Sequence, residues 1–370
     1  MPEAIKPILM PKWGLAMTEG TLVRWHVPEG ADLAEGADLC DIETTKITNV
    51  FEMPAAGTVA RQLVEPGTVV PVGALIGVLT TGSVSQSEIE DFISGFQASS
   101  GAAIGPESED TGFESQRLAD GREIAYRVQG EGSETVLLVH GFAGESGNWT
   151  YVQSMLATKR RVVAIDLPGH GRSSKAMGRH PIAGLVAAVT AVARQLDADR
   201  LHLVGHSLGG AIAISAAPEL PALASLTLIA SCGLGAEIDA RFIDELIRAE
   251  RRKDLEPVVA RLFADPKLVS RQMINDLLRY KREDGVHNAL TTLAAEAFRD
   301  GRQALELRPL LLRLSVPVQI IWGGDDQIIP SSHAAGLPDT MRICRLTASG
   351  HMPHVEKAAE VAKLIDAITG

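Results

Sequence analysis

Hydrophobic and polar positions along the chain keep two different rhythms, separated by a stretch that keeps neither. Up to about residue 80, apolar and polar residues alternate in short runs broken by Gly and Pro, as in Leu39-Cys40-Asp41-Ile42-Glu43. Alternation with little 3.6-residue periodicity predicts short β-strands. From residue 113 the pattern becomes apolar runs interleaved with amphipathic stretches. The runs predict strands over 123–128, 135–140, 161–166, 201–206, 226–231, 318–322 and 342–346, with helices such as 182–196 and 357–368 between or after them. Such alternation implies a mostly parallel sheet covered on both faces. Between Gly235 and Leu312 the rhythm changes again. Charged segments of helical periodicity over 242–252, 255–263, 269–280 and 288–298 predict a helical cap inserted between two core strands.

The first rhythm also repeats itself. Gly20-Thr21-Leu22-Val23 recurs as Gly57-Thr58-Val59-Ala60, Glu29-Gly30 aligns with Pro66-Gly67, and Gly36 with Gly73, always at an offset of 37 residues. Two β half-units with matching turns predict a small pseudo-symmetric sandwich or flattened barrel. The segment that keeps neither rhythm, 83–112, is rich in Ser, Gly, Ala and acids and reads as a flexible linker. Within it, Ile89, Phe92, Ile93 and Phe96 share one face of a short helix behind a serine cap. The expected organisation is therefore a β domain over 1–82, a linker over 83–112, and an α/β domain over 113–370 whose cap spans 235–312.

Composition narrows the class without naming it. Hydrophobic residues at 45% and charged residues at 22% are ordinary for a globular protein. A net charge of −11 argues against a nucleic-acid binder. Cys40, Cys232 and Cys344 are widely spaced and show no metal-ligand spacing, so no metal is expected. Reduced thiols, the absence of a basic start followed by an apolar stretch, and the lack of any run of about 18 apolar residues point to a cytoplasmic protein without a membrane span.

Chemistry concentrates at the ends of the predicted strands, where an open α/β sheet builds its sites. The run 201–204 turns through Gly205-His206-Ser207-Leu208-Gly209-Gly210 into a small apolar helix. This is a G-x-S-x-G elbow, in which a serine on strained backbone needs glycines at 205 and 209 for strand and helix to pass closely. Strand 135–139 runs into His140-Gly141-Phe142-Ala143-Gly144, whose Phe142 N–H pairs with that of Leu208 as the expected oxyanion hole. The loop Asp166–Ser173 is expected to buttress the pocket wall. Asp325 or Asp326 arrives after strand 318–322, and His351 after strand 342–346. Serine, acid, histidine is the chain order of a hydrolase-type triad, with the histidine as base and the acid as its orienter. His140 and His206 are expected behind that constellation, and His354 is expected to be structural.

The whole of 113–370 resembles the α/β-hydrolase superfamily, and its acetoin-complex and C–C-hydrolase branches most. By that resemblance the acid is Asp326, which stands four residues before Pro330. Residues 4–80 resemble a lipoyl domain of the 2-oxo acid dehydrogenase type, through Met10-Pro11-Lys12-Trp13-Gly14-Leu15-Ala16-Met17-Thr18-Glu19-Gly20, Pro28-Glu29-Gly30 and Asp41-Ile42-Glu43-Thr44-Thr45-Lys46-Ile47. The resemblance implies lipoate attached covalently to Lys46. Thr45 departs from the Asp that many members carry there, while Thr45 and Ile47 differ from the methionines that flank a biotin lysine.

The combination resembles the acetyltransferase components of acetoin dehydrogenase complexes, and no H-x-x-x-D-G signature of the usual transferase domain is present. It implies acetyl transfer from S-acetyldihydrolipoyl-lysine to coenzyme A. Implied partners are a thiamine-dependent acetoin dehydrogenase component, dihydrolipoamide dehydrogenase and further copies of the chain. Two other readings stay open: hydrolysis of a thioester or C–C bond, and a lipoyl carrier or scaffold with a non-catalytic second domain.

Overall fold

The computed structural model describes residues 5–11, 19–34, 36–43, 48–53, 55–71, 74–82, 84–100 and 113–369. The chain divides into two compact units, Met1–Glu109 and Asp110–Gly370.

The small unit holds eight strands: β1 (Ile5–Leu9), β2 (Glu19–Trp25), β3 (Asp32–Leu33), β4 (Asp38–Glu43), β5 (Thr48–Glu52), β6 (Gly57–Gln62), β7 (Thr68–Pro71) and β8 (Leu75–Thr80). They form two antiparallel four-stranded sheets, β1-β8-β6-β3 and β5-β4-β2-β7. The internal repeat is realised physically. Strand β8 lies 37 residues after β4 at both ends. The buried side chains Leu22, Leu39 and Ile42 are matched at the same offset by Val59, Ile76 and Leu79. Gly30 and Gly67 each turn the chain at positive φ, 84° and 87°, a conformation glycine adopts without strain. One half-unit's burial pattern and turn chemistry therefore build both sheets. Strands β4 and β5 end with Glu43 opposite Thr48. Lys46, in the connection between them, lies outside the described residues, as do 12–18 of the opening motif.

Helix α1 spans Gln86–Ser100, further than the apolar periodicity marks. Ser85 starts it with a reciprocal cap: its Oγ accepts the Glu88 N–H at 3.3 Å, and the Glu88 carboxylate accepts the Ser85 N–H at 2.9 Å. Residues 101–112 are outside the described set.

The large unit is built on one eight-stranded sheet. Its strands are β9 (Phe113–Arg117), β10 (Glu123–Gln129), β11 (Glu134–Val139), β12 (Arg161–Ile165), β13 (Arg200–His206), β14 (Leu223–Ile229), and, after a two-stranded ribbon β15 (Phe298–Arg299) and β16 (Arg302–Gln303), β17 (Val318–Gly323) and β18 (Arg342–Leu346). The order is β18-β17-β14-β13-β11-β12-β10-β9. All neighbours are parallel except at the β12-β10-β9 edge. Strand β9 has no counterpart among the sequence-predicted strands, because its partly exposed FESQR carries no apolar run.

Helices α2 (Thr150–Leu156) and α11 (Ala358–Thr369) bury Val152, Leu156, Val361 and Ile365 against one face. On the other face α3 (Pro181–Gln195) and α4 (Leu208–Ala216) pack into the larger core. Covering both faces is what lets β11 and β13 be apolar almost throughout. The cap consists of α5 (Ala240–Arg248), α6 (Arg252–Ala260), α7 (Arg271–Lys281) and α8 (Val286–Ala297), followed by short α9 (Arg308–Leu311) before β17 and α10 (Pro353–Glu356) before α11. The last predicted cap helix ends one residue early. Phe298 instead pairs with Gln303, and Asp300 and Gly301, at φ 50° and 72°, turn the chain between them. Asp-Gly at a two-residue loop is a strong hairpin signal. Among the described residues no helix is long and apolar enough to cross a membrane.

Candidate active site

Ser207 caps α4 directly after β13, at φ 53° and ψ −120°. A non-glycine residue there is strained by roughly 1–3 kcal/mol. The conformation is held by four backbone hydrogen bonds: Ser207 N–H to Ile229 O at 2.9 Å, and Ser207 O from Gly210, Cys232 and Ala211 N–H at 2.9, 3.0 and 3.4 Å. Its glycines are required by contact rather than by dihedral angle. A Cβ on Gly205 would strike the Gly209 backbone, and one on Gly209 the carbonyls of Val139 and His140. Gly141, beneath Ser207 in the neighbouring loop, is tight for the same reason.

His351 Nε2 lies 3.0 Å from Ser207 Oγ, and His351 Nδ1 lies 2.9 Å from Asp326 Oδ2. A carboxylate only accepts, so Nδ1 carries the proton and Nε2 is left as the acceptor of the serine hydroxyl. Asp326 is fully engaged: Oδ2 also accepts from Trp322 Nε1 at 3.0 Å, and Oδ1 from the N–H groups of Ile328 and Ile329 at 2.8 and 3.0 Å. Asp325, the rival acid, is exposed, and among the described residues it makes only a backbone bond, its N–H to Ser349 O. The N–H groups of Phe142 and Leu208 have no protein acceptor among the described residues, the condition an oxyanion hole requires. Ser207 and His351 are only 7% and 3% exposed.

Four further histidines surround the site, all buried, and burial disfavours their charged form. It pushes His140 down to about 4 and His170 and His354 to about 3, and holds His206 well below the ordinary imidazole range. All four are neutral at pH 7, and three bridge loops. His140 Nε2 accepts the Leu167 N–H at 3.0 Å. His170 Nε2 accepts the Ala143 N–H at 3.1 Å. His206 Nε2 donates to His351 O at 2.8 Å. His354 lies between Trp149 and His206, tilted against both with each centroid 4.4 Å away, and its ring has no hydrogen-bond partner among the described residues. Asp166 ties the oxyanion loop to its own by accepting from Ser146 N and Arg172 N at 2.7 and 2.9 Å.

Three participants have no signature in the local sequence. Trp322, four residues before Asp326, donates its indole N–H to the acid. Cys232 brings a thiol 3.9 Å from Ser207 Oγ, and burial raises its pKa to about 12, so it is protonated. Glu356 accepts from both Gly350 N, at 2.7 Å, and Ala264 N, at 2.9 Å, while the His351 N–H donates to Leu262 O at 2.8 Å. The histidine loop is thereby sewn to the chain that follows cap helix α6.

The sequence matches the family model described as alpha/beta hydrolase fold over residues 134–358, and that described as Biotin-requiring enzyme over residues 6–79. It is 40% identical, over 98% of this chain and 96% of that protein, to the dihydrolipoyllysine-residue acetyltransferase component of the acetoin cleaving system of Cupriavidus necator. The corresponding component from Pseudomonas putida is also 40% identical, over 96% of each chain. Among solved structures, a meta-cleavage product hydrolase from Pseudomonas fluorescens IP01 superposes with a TM-score of 0.60 at 20% identity, covering 69% of this chain and 96% of that one. A bacterial membrane phospholipase A gives 0.59 at 24%, covering 76% and 93%. These two likenesses support the fold alone.

Proposed function

We propose, from the premise that this chain belongs to the family of acetoin-cleaving dihydrolipoyllysine-residue acetyltransferases, a biotin/lipoyl-type domain joined to an α/β hydrolase fold, that Ser207, His351 and Asp326 carry its acetyl transfer. The protein is an acyltransferase of an acetoin-cleaving multienzyme complex. The observation that carries the triad assignment is the continuous chain of hydrogen bonds from Ser207 Oγ through His351 to Asp326. The proposed division of the chain is an attachment domain over 1–82, a connector over 83–112, and a transferase domain over 113–370 capped by 235–312.

Lys46 is the proposed attachment point for lipoate. What supports the assignment is the pairing of the strands on either side of it in sequence: β4 and β5 meet at Glu43 and Thr48, and Lys46 is the one lysine in the four residues that join them. Lipoate there supplies an acetyl thioester as the acyl donor. His351 Nε2 takes the Ser207 proton as Oγ attacks the thioester carbonyl, and the oxyanion is held by the N–H groups of Phe142 and Leu208 at the positive end of α4. His351 would then give the proton to the leaving thiol as the C–S bond breaks, and acetyl would stay on Ser207. Coenzyme A repeats the sequence in reverse: its thiol proton passes to His351, sulfur attacks the acyl-serine, and Oγ recovers its proton. Asp326 keeps the ring in the required tautomer and stabilises its charged form.

Proposed partners are a thiamine-dependent acetoin dehydrogenase component, dihydrolipoamide dehydrogenase and further copies of the chain, working in the cytoplasm. Ser207→Ala tests the route. Acetyl transfer from the lipoylated chain to coenzyme A should fall by at least about 10³-fold. A small loss would mean that His351 activates the thiol directly. An unchanged rate would remove the serine from the mechanism.

A further inference from the structure

Cap helices α5 and α8 enclose, with the β15–β16 ribbon, a groove of about 580 Å³ whose lining does not include Ser207, His351 or Asp326. Its floor is apolar, with Ile243, Ile247 and the Phe298 ring. Its rim carries two guanidinium groups, Arg241 and Arg248, two helical turns apart on α5. Neither is held in a close ion pair of its own. The carboxylate paired with Arg241 is Asp239 at 3.9 Å, which is itself bound to Arg261 at 2.8 Å and to the start of α5. Arg248 has no ion pair among the described residues. Two guanidinium groups not held in close ion pairs can each turn to a phosphate over an apolar floor, although Asp244 and Asp300 in the same lining balance their formal charge. Asp244, Asp300 and His287 share the lining, so the groove also offers acceptors for amino and hydroxyl groups. That mixture suits a phosphorylated nucleoside better than bare phosphate, and the volume is in the range of small-molecule sites.

The groove is linked to the reaction centre through one residue. Phe298 lines it and also meets the Phe142 ring edge-on, with centroids 5.8 Å apart. Phe142 carries one of the two N–H groups assigned to the oxyanion. The ribbon fixes Phe298 between these neighbours by pairing it with Gln303, whose own side chain binds Gly233 N and Glu237 O, both at 2.8 Å.

We infer that the α5–α8 groove holds the phosphorylated adenosine head of the acyl acceptor, with Arg241 and Arg248 on its phosphates and its thiol arm directed past Phe298 to Ser207. The inference rests on the acetyltransferase reading above and adds the acceptor's binding site to it.

The test uses the full-length lipoylated chain and the double variant R241Q/R248Q, both positions being exposed. Each charge-assisted hydrogen bond removed is worth about tenfold in affinity. The KM for coenzyme A should therefore rise by roughly 10- to 100-fold, with kcat at saturation within about twofold. Transfer to pantetheine, which has the same thiol arm and no nucleotide, should be equal in both proteins. A second variant, Ala295→Trp, should block coenzyme A and spare pantetheine by filling the groove from an exposed position. Calorimetry with adenosine 3′,5′-bisphosphate should show binding to the parent and none to R241Q/R248Q. An unchanged KM, equal losses with both thiols, or retained nucleotide binding overturns the groove assignment while leaving the transferase reading intact. If the parent transfers acetyl to no thiol, the transferase reading fails, and the calorimetry still decides whether the groove takes a nucleotide.

Discussion

Asp326→Asn is the most informative single change at this site. The carboxylate receives four N–H donors on two oxygens: His351 and Trp322 on Oδ2, Ile328 and Ile329 on Oδ1. Asparagine keeps only one oxygen. If its amino group faced Ile328 and Ile329, two fixed backbone donors would be stranded, at about 1–3 kcal/mol each. Facing His351 and Trp322 costs less, since Trp322 Nε1 already has a second acceptor, Ile329 O at 3.2 Å, and His351 can move its proton from Nδ1 to Nε2. That relaxation preserves the fold and ruins the base, because Nε2–H then points at Ser207 and cannot take its proton. The expected loss in kcat is about 10⁴-fold, or roughly 5.5 kcal/mol of transition-state stabilisation. Acetyl-coenzyme A formation at saturating acceptor measures the loss, and ¹⁵N shifts of the His351 ring report the tautomer. Exposed Asp325→Asn should stay within about twofold of the parent. If D326N keeps more than about a tenth of the parental rate, or D325N falls as far, the acid and its role are wrongly assigned.

Gly209→Ala forces a Cβ against the Val139 and His140 carbonyls, which cannot yield as a side chain would. It should cost the large unit about 3 kcal/mol, read as a lowered urea midpoint; a change under about 0.5 kcal/mol would refute the packing argument. The buried histidines predict acid lability. His140, His170 and His354 titrate at about 4, 3 and 3 when folded, against 6.5 ordinarily. The unfolded chain therefore binds more protons below 6.5: stability is present in full above that pH and is lost as pH falls, down to about 4 for His140 and about 3 for His170 and His354. At pH 5 each histidine accounts for about 2 kcal/mol. Hydrogen exchange at β11 and β13 should reveal this, and H354F, which removes a ring with no hydrogen-bond partner among the described residues, should shallow the slope; equal slopes would count against burial as the cause.

What the sequence made legible was whatever repeats or whatever chemistry restricts. The 37-residue offset announced the two sheets because the same positions must be buried and the same glycines must turn in each half. The elbow was legible because only glycine tolerates the approach of β13 and α4. Edge strand β9 was not, since a partly exposed edge needs no apolar run. Phe298, the first residue of the hairpin that turns at Asp300-Gly301, was read as the end of a helix because Ala294, Ala297 and Phe298 continue an apolar face, although the Asp-Gly pair marked the turn. Trp322, Cys232 and Glu356 were invisible for a different reason. Each acts across a fold-dependent distance of a few ångströms, and nothing in their local spacing shows which loop they will meet.

Transfer and hydrolysis share every step up to the acyl-serine, so the triad alone cannot decide between them; the choice lies in what reaches the ester. Here the base and the cover are not independent parts. The His351 N–H is bound to Leu262 O, and Glu356 bridges Gly350 and Ala264, so the chain after α6 and the histidine loop move together or not at all. Lifting the cap at that side to admit an acceptor would displace the imidazole from Ser207 just when a proton must be taken from the incoming thiol. An acceptor must therefore enter where the cap is not tied to the base. The α5–α8 side, with its two arginines and its Phe298–Phe142 contact, is where the inferred acceptor site would meet that requirement while the α6 side stays tied to the base. Excluding water and orienting the base then follow from the same few hydrogen bonds, which is how a hydrolase-type site can favour a thiol over a solvent present in vast excess.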